Sequence, residues 1–600
     1  MTNMIKSDSN THGPLMLITG TDRFYIHPIG NDTELMVVDR ISHNVGLETN
    51  TGQLNVEGMF SRQIQGILGI VNLLAGPYLV VITRSVKIGE IYNQPVYRIE
   101  DTDVISYTRN TLHLTEEQVN YNNSYLNMVK CVLQTPYFYF SYSYDLTHSL
   151  QRLYNFGPDF IKTSLFERAE QKFLWNHHLM KPLLIQPELS KYCLPLMHGF
   201  INISSVVLNR KVFHWIVISR RSNHRAGTRL FCRGADLQGN VANFVETEQI
   251  VEWENNRGSH VQIRGSIPLV WQQYPNLRYK PQPVIVSNQM QQEVITKHIE
   301  SLLMTYGKTV LVNLIDLKGT ELALERNLRV ACESLNNPMV RYEHFEFHRE
   351  CGKMRWDRLN ILMERLSQEQ KEFGYFLLLS DGTVQSQQEG IFRTNCIDSL
   401  DRTNVVQSLI AKKNLADLLL RFGIISHGDR IEDHTTLYSL FRNVWADNAD
   451  ICSIEYAGTG ALKTDYTRTG KRTQVGLIRD GINSLIRYYK NNFTDGFRQD
   501  AIDLFLGRYM INENEGKSSP SPLKARKDWK YLALPCMFLG STAMFFFSLF
   551  IPTEHSTITL MYLLFWATMI ALSATVIVFY GTEFVDVPRL CPIKRNEANN

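Results

Sequence analysis

RTNCIDSLDRTN, residues Arg393 to Asn404, carries Cys396, then five residues, then Arg402. This spacing suits a loop that holds a phosphoryl group by its oxygens. Backbone N–H groups of Ile397 to Arg402, those of Ser399 and Leu400 among them, can cup those oxygens. A helix starting near Thr403 would add the positive end of its dipole. The planar fork of Arg402 can hold two oxygens at once, which a lysine cannot do. The same field favours thiolate over thiol at Cys396, and the thiolate is the nucleophile. Thr403 and Asn404 either cap the helix or hydrogen-bond the sulfur, and capping is the preferred reading.

Spacing alone is a weak signal, so the flanks matter. After the loop, VVQSLIAKKNLADLLLRFG repeats apolar residues at helical spacing, with Gly423 as its stop. Before it, YFLLLS and VQSQQEGIF read as two strands around the turn signal Asp381-Gly382. Strand, tight loop and helix are the setting that this chemistry requires. Arg393 could aid the phosphate or pair on the surface, and a structural role is preferred.

Six hundred residues predict more than one domain. A net charge of +3 gives no argument for a nucleic-acid binder. Nine cysteines are scattered without close pairs, as expected for reduced thiols in a cytosolic body. His177-His178 and His348 with Cys351 lack further ligands at usable spacing, so core or capping roles are expected and no metal or other cofactor is predicted.

The chain divides as follows. Residues 1–14 read as a flexible tail. Residues 15–180 are β-rich, with LMLITG, RFYIHPI and LMVVDR as strands, FSRQIQGILGIVNLLAG as a helix, YLVVIT and YRIEDTDVISY as strands, and QVNYNNSYLNMVKCVLQ as a helix. From 181 to 510 strands and helices alternate, predicting a mixed α/β domain. DRLNILMERLSQEQKEFG reads there as one helix. SRRSNHRAGTRLFCRG, with Arg220, Arg221, Arg225, Arg229 and Arg233, reads as solvated loop charge or a face for anionic headgroups. KTDYTRTGKRTQ reads as a mobile basic loop, either free or touching the bilayer or the substrate.

Residues 511–530 are rich in Ser, Pro, Gly and charge and predict a flexible linker, basic at Lys524, Arg526, Lys527 and Lys530. Two uncharged apolar runs, 531–551 and 558–580, are each long enough to cross a bilayer. PTEHST between them is too short for a folded domain. Positive residues flank both outer ends, so the body and the tail, 581–600, are both expected on the cytosolic side. A linker of about 20 residues would reach roughly 65 Å when stretched, so action on the chain's own bilayer is expected.

Beyond the loop, GILGIVNLLAGPYLVVIT, FLWNHHL, SRRSNHRAGTRLFCRGAD, NFVETEQI, RGSIPLVWQQ, NLIDLKGTE and FEFHRECGKMRWDRL occur in order. With RTNCIDSLDRTN they resemble the Sac-domain phosphoinositide phosphatases over roughly residues 15 to 510. The two apolar runs resemble its integral-membrane, endoplasmic-reticulum member. The resemblance implies a β-rich N-terminal Sac subdomain beside the α/β catalytic domain, and hydrolysis of phosphatidylinositol monophosphates, chiefly the 4-phosphate and also the 3-phosphate, through a phosphocysteine. It also implies that one loop carboxyl protonates the leaving inositol oxygen. Asp401 is preferred to Asp398 because an Asp-Arg pair stands at this position in related lipid phosphatases. Asp398 would otherwise accept backbone N–H bonds, and Asp401 would otherwise pair with Arg402. Phosphoinositides and the chain's own bilayer are the expected partners, with proteins at membrane contact sites as further candidates. RNEANN is not a dilysine-type ending, so Golgi residence stays open beside the endoplasmic reticulum. The competing readings are a protein-tyrosine phosphatase, and a catalytically silent phosphoinositide-binding tether.

Overall fold

The computed structural model describes residues 11–31, 33–51, 59–286, 288–352, 355–524, 529–550 and 557–592. Residues 1–10 of the expected N-terminal tail, Arg526, Lys527, most of PTEHST and the RNEANN ending lie outside the described residues. The first strands form a five-stranded antiparallel sheet in the order Val45–Thr49, Glu34–Asp39, Arg23–Pro28, Leu15–Thr19, Phe60–Ile64. A larger mixed sheet follows. Its antiparallel part runs from Gly66–Leu73 through Gly76–Ile91, Gln94–Ser106, Phe138–Phe140, Met197–Leu208, Lys211–Arg221 and Val245–Trp253 to Asn256–Arg264. There it turns parallel, adding Gly390–Asn395, Lys308–Asn313 and Val340–His344. Strands on both sides of residue 180 thus share one hydrogen-bonded sheet. A β-rich N-terminal part, a mixed α/β part and two apolar C-terminal helices match the expected fold class.

FSRQIQGILGIVNLLAG is not a helix. It forms the strands Phe60–Ile64 and Gly66–Leu73. The second is buried on both faces, Leu68, Val71 and Leu73 in one core and Ile67 and Ile70 in another. A strand buried twice loses the alternation that would reveal it. Gly69 has φ +130°, and a Cβ there would come within 2.4 Å of the Leu179 carbonyl group. DRLNILMERLSQEQKEFG likewise breaks into two helices, Leu359–Arg365 and Ser367–Phe373.

The arginine-rich segment is not solvated loop charge. Arg220 is fully buried, donating to Glu246 at 2.9 Å and Glu248 at 2.7 Å, and Arg221 and Arg233 are buried too. Nor is KTDYTRTGKRTQ a mobile loop. It contains the helix Thr464–Thr469, pinned by Arg468 to Asp447 and Asp450 and by Arg472 to Asp465 and Asp480. Arg468 finds its acidic partners earlier in the chain, and Arg472 finds one within the segment and one after it, so a count of charges does not show that they are paired.

Glu455 is a buried carboxyl without a hydrogen-bonding neighbour at Oε1. Burial pushes it up to about 8, against the opposing pull of Arg221 and Arg264. The folded state therefore holds this proton after the unfolded chain has lost it, so the associated stability fades as pH rises from the ordinary glutamate range through about 8. Glu455→Gln, with a permanently neutral side chain, is expected to lose less melting temperature than the parent between pH 5 and pH 8. Calorimetry of the two proteins in detergent checks this.

The expected linker is largely not a linker. Ile511 and Leu523 pack on the core beneath the helix Glu116–Leu133. Glu515 is buried, accepting from Tyr125 at 2.5 Å, Ser521 at 2.6 Å and Tyr509 at 3.1 Å. Only six residues then separate Leu523 from the first apolar helix, a span of roughly 25 Å at full stretch rather than 65 Å.

Two helices, Lys530–Phe550 and Thr557–Phe579, are long and apolar enough to cross a membrane, and few of their side chains are buried in protein. They pack side by side as a hairpin. The segment after the hairpin is not a free tail. The Asp586 N–H donates to Asn492 O at 2.7 Å, and the N–H groups of Arg589 and Leu590 donate to Asp500 at 2.9 Å. Val585 and Leu590 are buried. Composition does not display these contacts, because each joins the segment to residues about 90 positions earlier.

Candidate active site

Gly390–Asn395 is buried along its whole length and lies between two parallel neighbours, Asn256–Arg264 and Lys308–Asn313. Cys396 follows at its carboxyl end, where open α/β sheets place their ligands. The chain then turns through Ser399, at φ +54°, and enters the helix Asp401–Arg421. The helix therefore starts two residues earlier than expected. Its inner face, including Val406, Ile410, Leu415 and Leu418, anchors the loop to the core.

The turn is braced from below by buried arginines. Arg264 donates to Ser399 O at 2.7 and 3.1 Å, to Leu400 O at 2.8 Å and to Asn404 Oδ1 at 3.1 Å. Arg233 donates to Ile397 O at 3.1 Å. Arg393 is buried, not a surface ion pair, and binds Asn395 at 2.9 Å and the Ser266 carbonyl. Arg264 is not marked as a site residue by the sequence around it. Its only signal is a charge ending the otherwise strand-like SHVQIR.

Cys396 is 2% exposed, and Thr403 Oγ1 donates to its sulfur at 3.4 Å. Thr403 thus contacts the sulfur, and Asn404 holds Arg264 and the Trp445 carbonyl, 3.0 Å away. Neither caps the helix, because both already lie within its first turn.

The two aspartates differ sharply. Asp398 sits between Arg229 and Arg233, each at 2.7 Å. Burial alone would raise it, but these two guanidinium groups hold its carboxyl well below the usual range. It is an ion-paired brace, not an acceptor of backbone N–H bonds. Asp401 accepts one backbone bond, from Leu462 N at 3.0 Å. Burial raises it, with Arg487 pulling the other way and Asp398 adding to the rise. It does not orient Arg402.

Arg402 is instead held by Glu321, at 2.9 and 3.1 Å, and by the Leu314 carbonyl at 3.0 Å, with Asp316 at 3.8 Å. Burial would lower its pKa, but Cys396 first and then Glu321 and Asp316 reverse this and raise it. Asp316 also takes His348 Nδ1 at 2.6 Å. His348 is therefore neither a core nor a capping residue, whereas Cys351 is buried in the core.

Cys396, Ile397, Asp398, Asp401, Arg402 and Asn404 line one cavity of about 560 Å³. Its walls carry eight Lys or Arg side chains against four Asp or Glu, which suits a multiply charged anion. Lys463, Thr464 and Thr467 are part of the wall, so the basic segment does reach the site. Among the described residues no cluster of His, Cys, Asp and Glu could hold a metal ion.

The SacI homology domain family matches residues 65–352. Matching relatives extend over nearly the whole chain, and the chain belongs to the Sac family of phosphoinositide phosphatases. It is 48% identical over 583 residues to the phosphatidylinositol-3-phosphatase SAC1-A of Danio rerio, covering 97% of this chain and 99% of that one. It is 46% identical to the phosphatidylinositol-3-phosphatase SAC1 of Drosophila melanogaster, covering 98% of both chains. The Saccharomyces cerevisiae protein named phosphatidylinositol-3-phosphatase SAC1 is 34% identical, with 97% and 94% covered.

Proposed function

We infer that this chain is a membrane-anchored phosphatase that removes the phosphate from phosphatidylinositol monophosphates. The observation that carries the reading is the single cavity shared by Cys396, Asp401 and Arg402, at the carboxyl end of a parallel strand and the start of a helix. The relatives' printed names point to the 3-phosphate, and the Sac resemblance to the 4-phosphate as well, so both monophosphates are proposed substrates. The endoplasmic reticulum, with the Golgi as alternative, is the proposed location.

The thiolate of Cys396 attacks phosphorus and forms the S–P bond while the bond to the inositol oxygen breaks. Asp401, whose pKa is raised by burial, gives its proton to that oxygen. A water then attacks the phosphocysteine, its proton passing to the Asp401 carboxylate, and phosphate leaves with the thiolate restored. Arg402 holds two equatorial oxygens through both steps. The Thr403 hydroxyl stabilises the sulfur anion.

Glu321 occupies the Arg402 fork, its two oxygens accepting from the two terminal nitrogens. A phosphate dianion has to displace this carboxylate. Glu321→Gln weakens the competitor, so inorganic phosphate is expected to inhibit the variant roughly tenfold more tightly, about 1.4 kcal/mol. Weaker inhibition would mean that Glu321 holds Arg402 in its working position.

The reading as a whole is tested by phosphate release from the full chain in vesicles, across all phosphoinositides and a phosphotyrosine peptide, with chelator present. Turnover of monophosphates alone supports it. Peptide turnover would favour a protein phosphatase, and lipid binding without phosphate release would favour a silent tether.

A further inference from the structure

The helix Gln474–Phe493 is amphipathic in an unusual sense. One face builds the cavity wall through Ser484, Arg487, Tyr488 and Asn491. The other carries Val475, Ile478, Ile482, Leu485, Tyr489 and Phe493 at spacings of three and four residues, each between 41% and 76% exposed. At 100° per residue these six fall within about 80° of the helix circumference. Isolated exposed apolar residues are ordinary, but a continuous stripe marks a surface that something covers.

The position of the stripe identifies the cover. The second apolar helix ends at Phe579, and two residues later Gly581 packs against Asn276, where a Cβ would come within 2.3 Å of the carbonyl oxygen. Leu277 is bonded to the cavity helix twice, its carbonyl accepting from Tyr488 at 2.6 Å and its N–H donating to Asn492 at 3.2 Å. Asn492 O takes the Asp586 N–H at 2.7 Å. Tyr531, at the start of the first apolar helix, meets Phe584 with ring centroids 5.7 Å apart. Both ends of the hairpin thus lie beside the last turn of Gln474–Phe493, so that turn stands at the level where the hairpin leaves the bilayer. Exposed Trp529 and Tyr580 fit the same level, since aromatic side chains gather at membrane interfaces. Exposed Arg479 borders the stripe, where its stem can lie on acyl chains with its charge among headgroups.

We propose that the apolar stripe of Gln474–Phe493 lies in the cytosolic leaflet of the bilayer that holds the hairpin, so that the cavity opens at the headgroup layer. The proposal rests on the hairpin spanning the membrane and not on the chemistry at Cys396. The test is a photoreactive benzophenone amino acid at position 485, or at exposed Val207 as control, in full-length protein reconstituted in phosphatidylcholine vesicles. Lipid adducts at 485 well above those at 207 are expected. A crosslinked dimer at 485, or lipid adducts no more frequent than at 207, overturns the proposal. As a second reading, Ile482→Asp with Leu485→Asp is expected to cut turnover of a bilayer-resident monophosphate at least roughly tenfold, because the substrate is no longer presented to the site. Turnover of a short-chain, water-soluble analogue is expected to stay within about twofold. Unchanged turnover on the bilayer, or equal loss on both substrates, counts against it. The crosslinking arm needs no turnover, so a failure of the phosphatase reading is seen separately.

Discussion

Replacing Cys396 by serine is expected to lower phosphate release at least roughly 10⁴-fold, as removal of a nucleophile does. Serine differs from cysteine by one atom, and its hydroxyl can accept the Thr403 bond that the sulfur now accepts. The side chain is buried in a rigid setting of strand, turn and helix, so the substitution leaves the fold in place. The check is phosphate release in vesicles beside a melting curve. A variant that melts like the parent and releases phosphate like the parent removes Cys396 from the chemistry.

Asp401→Asn carries the second large effect. A positioned acid contributes about 10²- to 10⁴-fold when the leaving group is a poor one, and an inositol oxygen is poor. The loss is expected in full on the lipid and nearly absent on an aryl phosphate whose leaving group needs no proton. The pH dependence follows from burial, which raises the Asp401 carboxyl. In the proposed first step the protonated form is the working one, so kcat/KM for the lipid is expected to fall as pH rises through this raised value. Asp401→Asn removes that alkaline limb. Asp398→Asn behaves differently, because the carboxylate between Arg229 and Arg233 is never protonated in the working range. Its loss takes the carboxylate away from buried Arg233 and partly exposed Arg229 and appears chiefly as instability.

The loop was readable in the chain because its chemistry is local. Cysteine, five residues, arginine and a helix all fall within one short stretch, and the strand before it shows its apolar residues. What surrounds the loop was not readable, because it depends on contacts between distant positions. Arg264, Arg233 and Glu321 come from three separate segments, and nothing in their neighbours tells a buried brace from a solvated charge. The two aspartates show the same limit. Their order in the chain ranks Asp401 above Asp398 as candidate acid, but the guanidinium groups around Asp398 and the burial of Asp401 are physical differences that only the folded chain displays. The strand Gly66–Leu73 reads as a helix in the sequence for a related cause: burial on both faces erases the periodicity that separates strand from helix.

The hairpin is tied to the body at both of its ends. Leu523 is packed a few residues before the first apolar helix, and Gly581 to Leu590 are stitched to the body after the second. A body on one leash would swing with the length of that leash. A body standing on two short legs keeps one height and one tilt. Inserting residues at 524–530 alone would therefore free nothing, and the mouth of the cavity would meet every headgroup from the same direction.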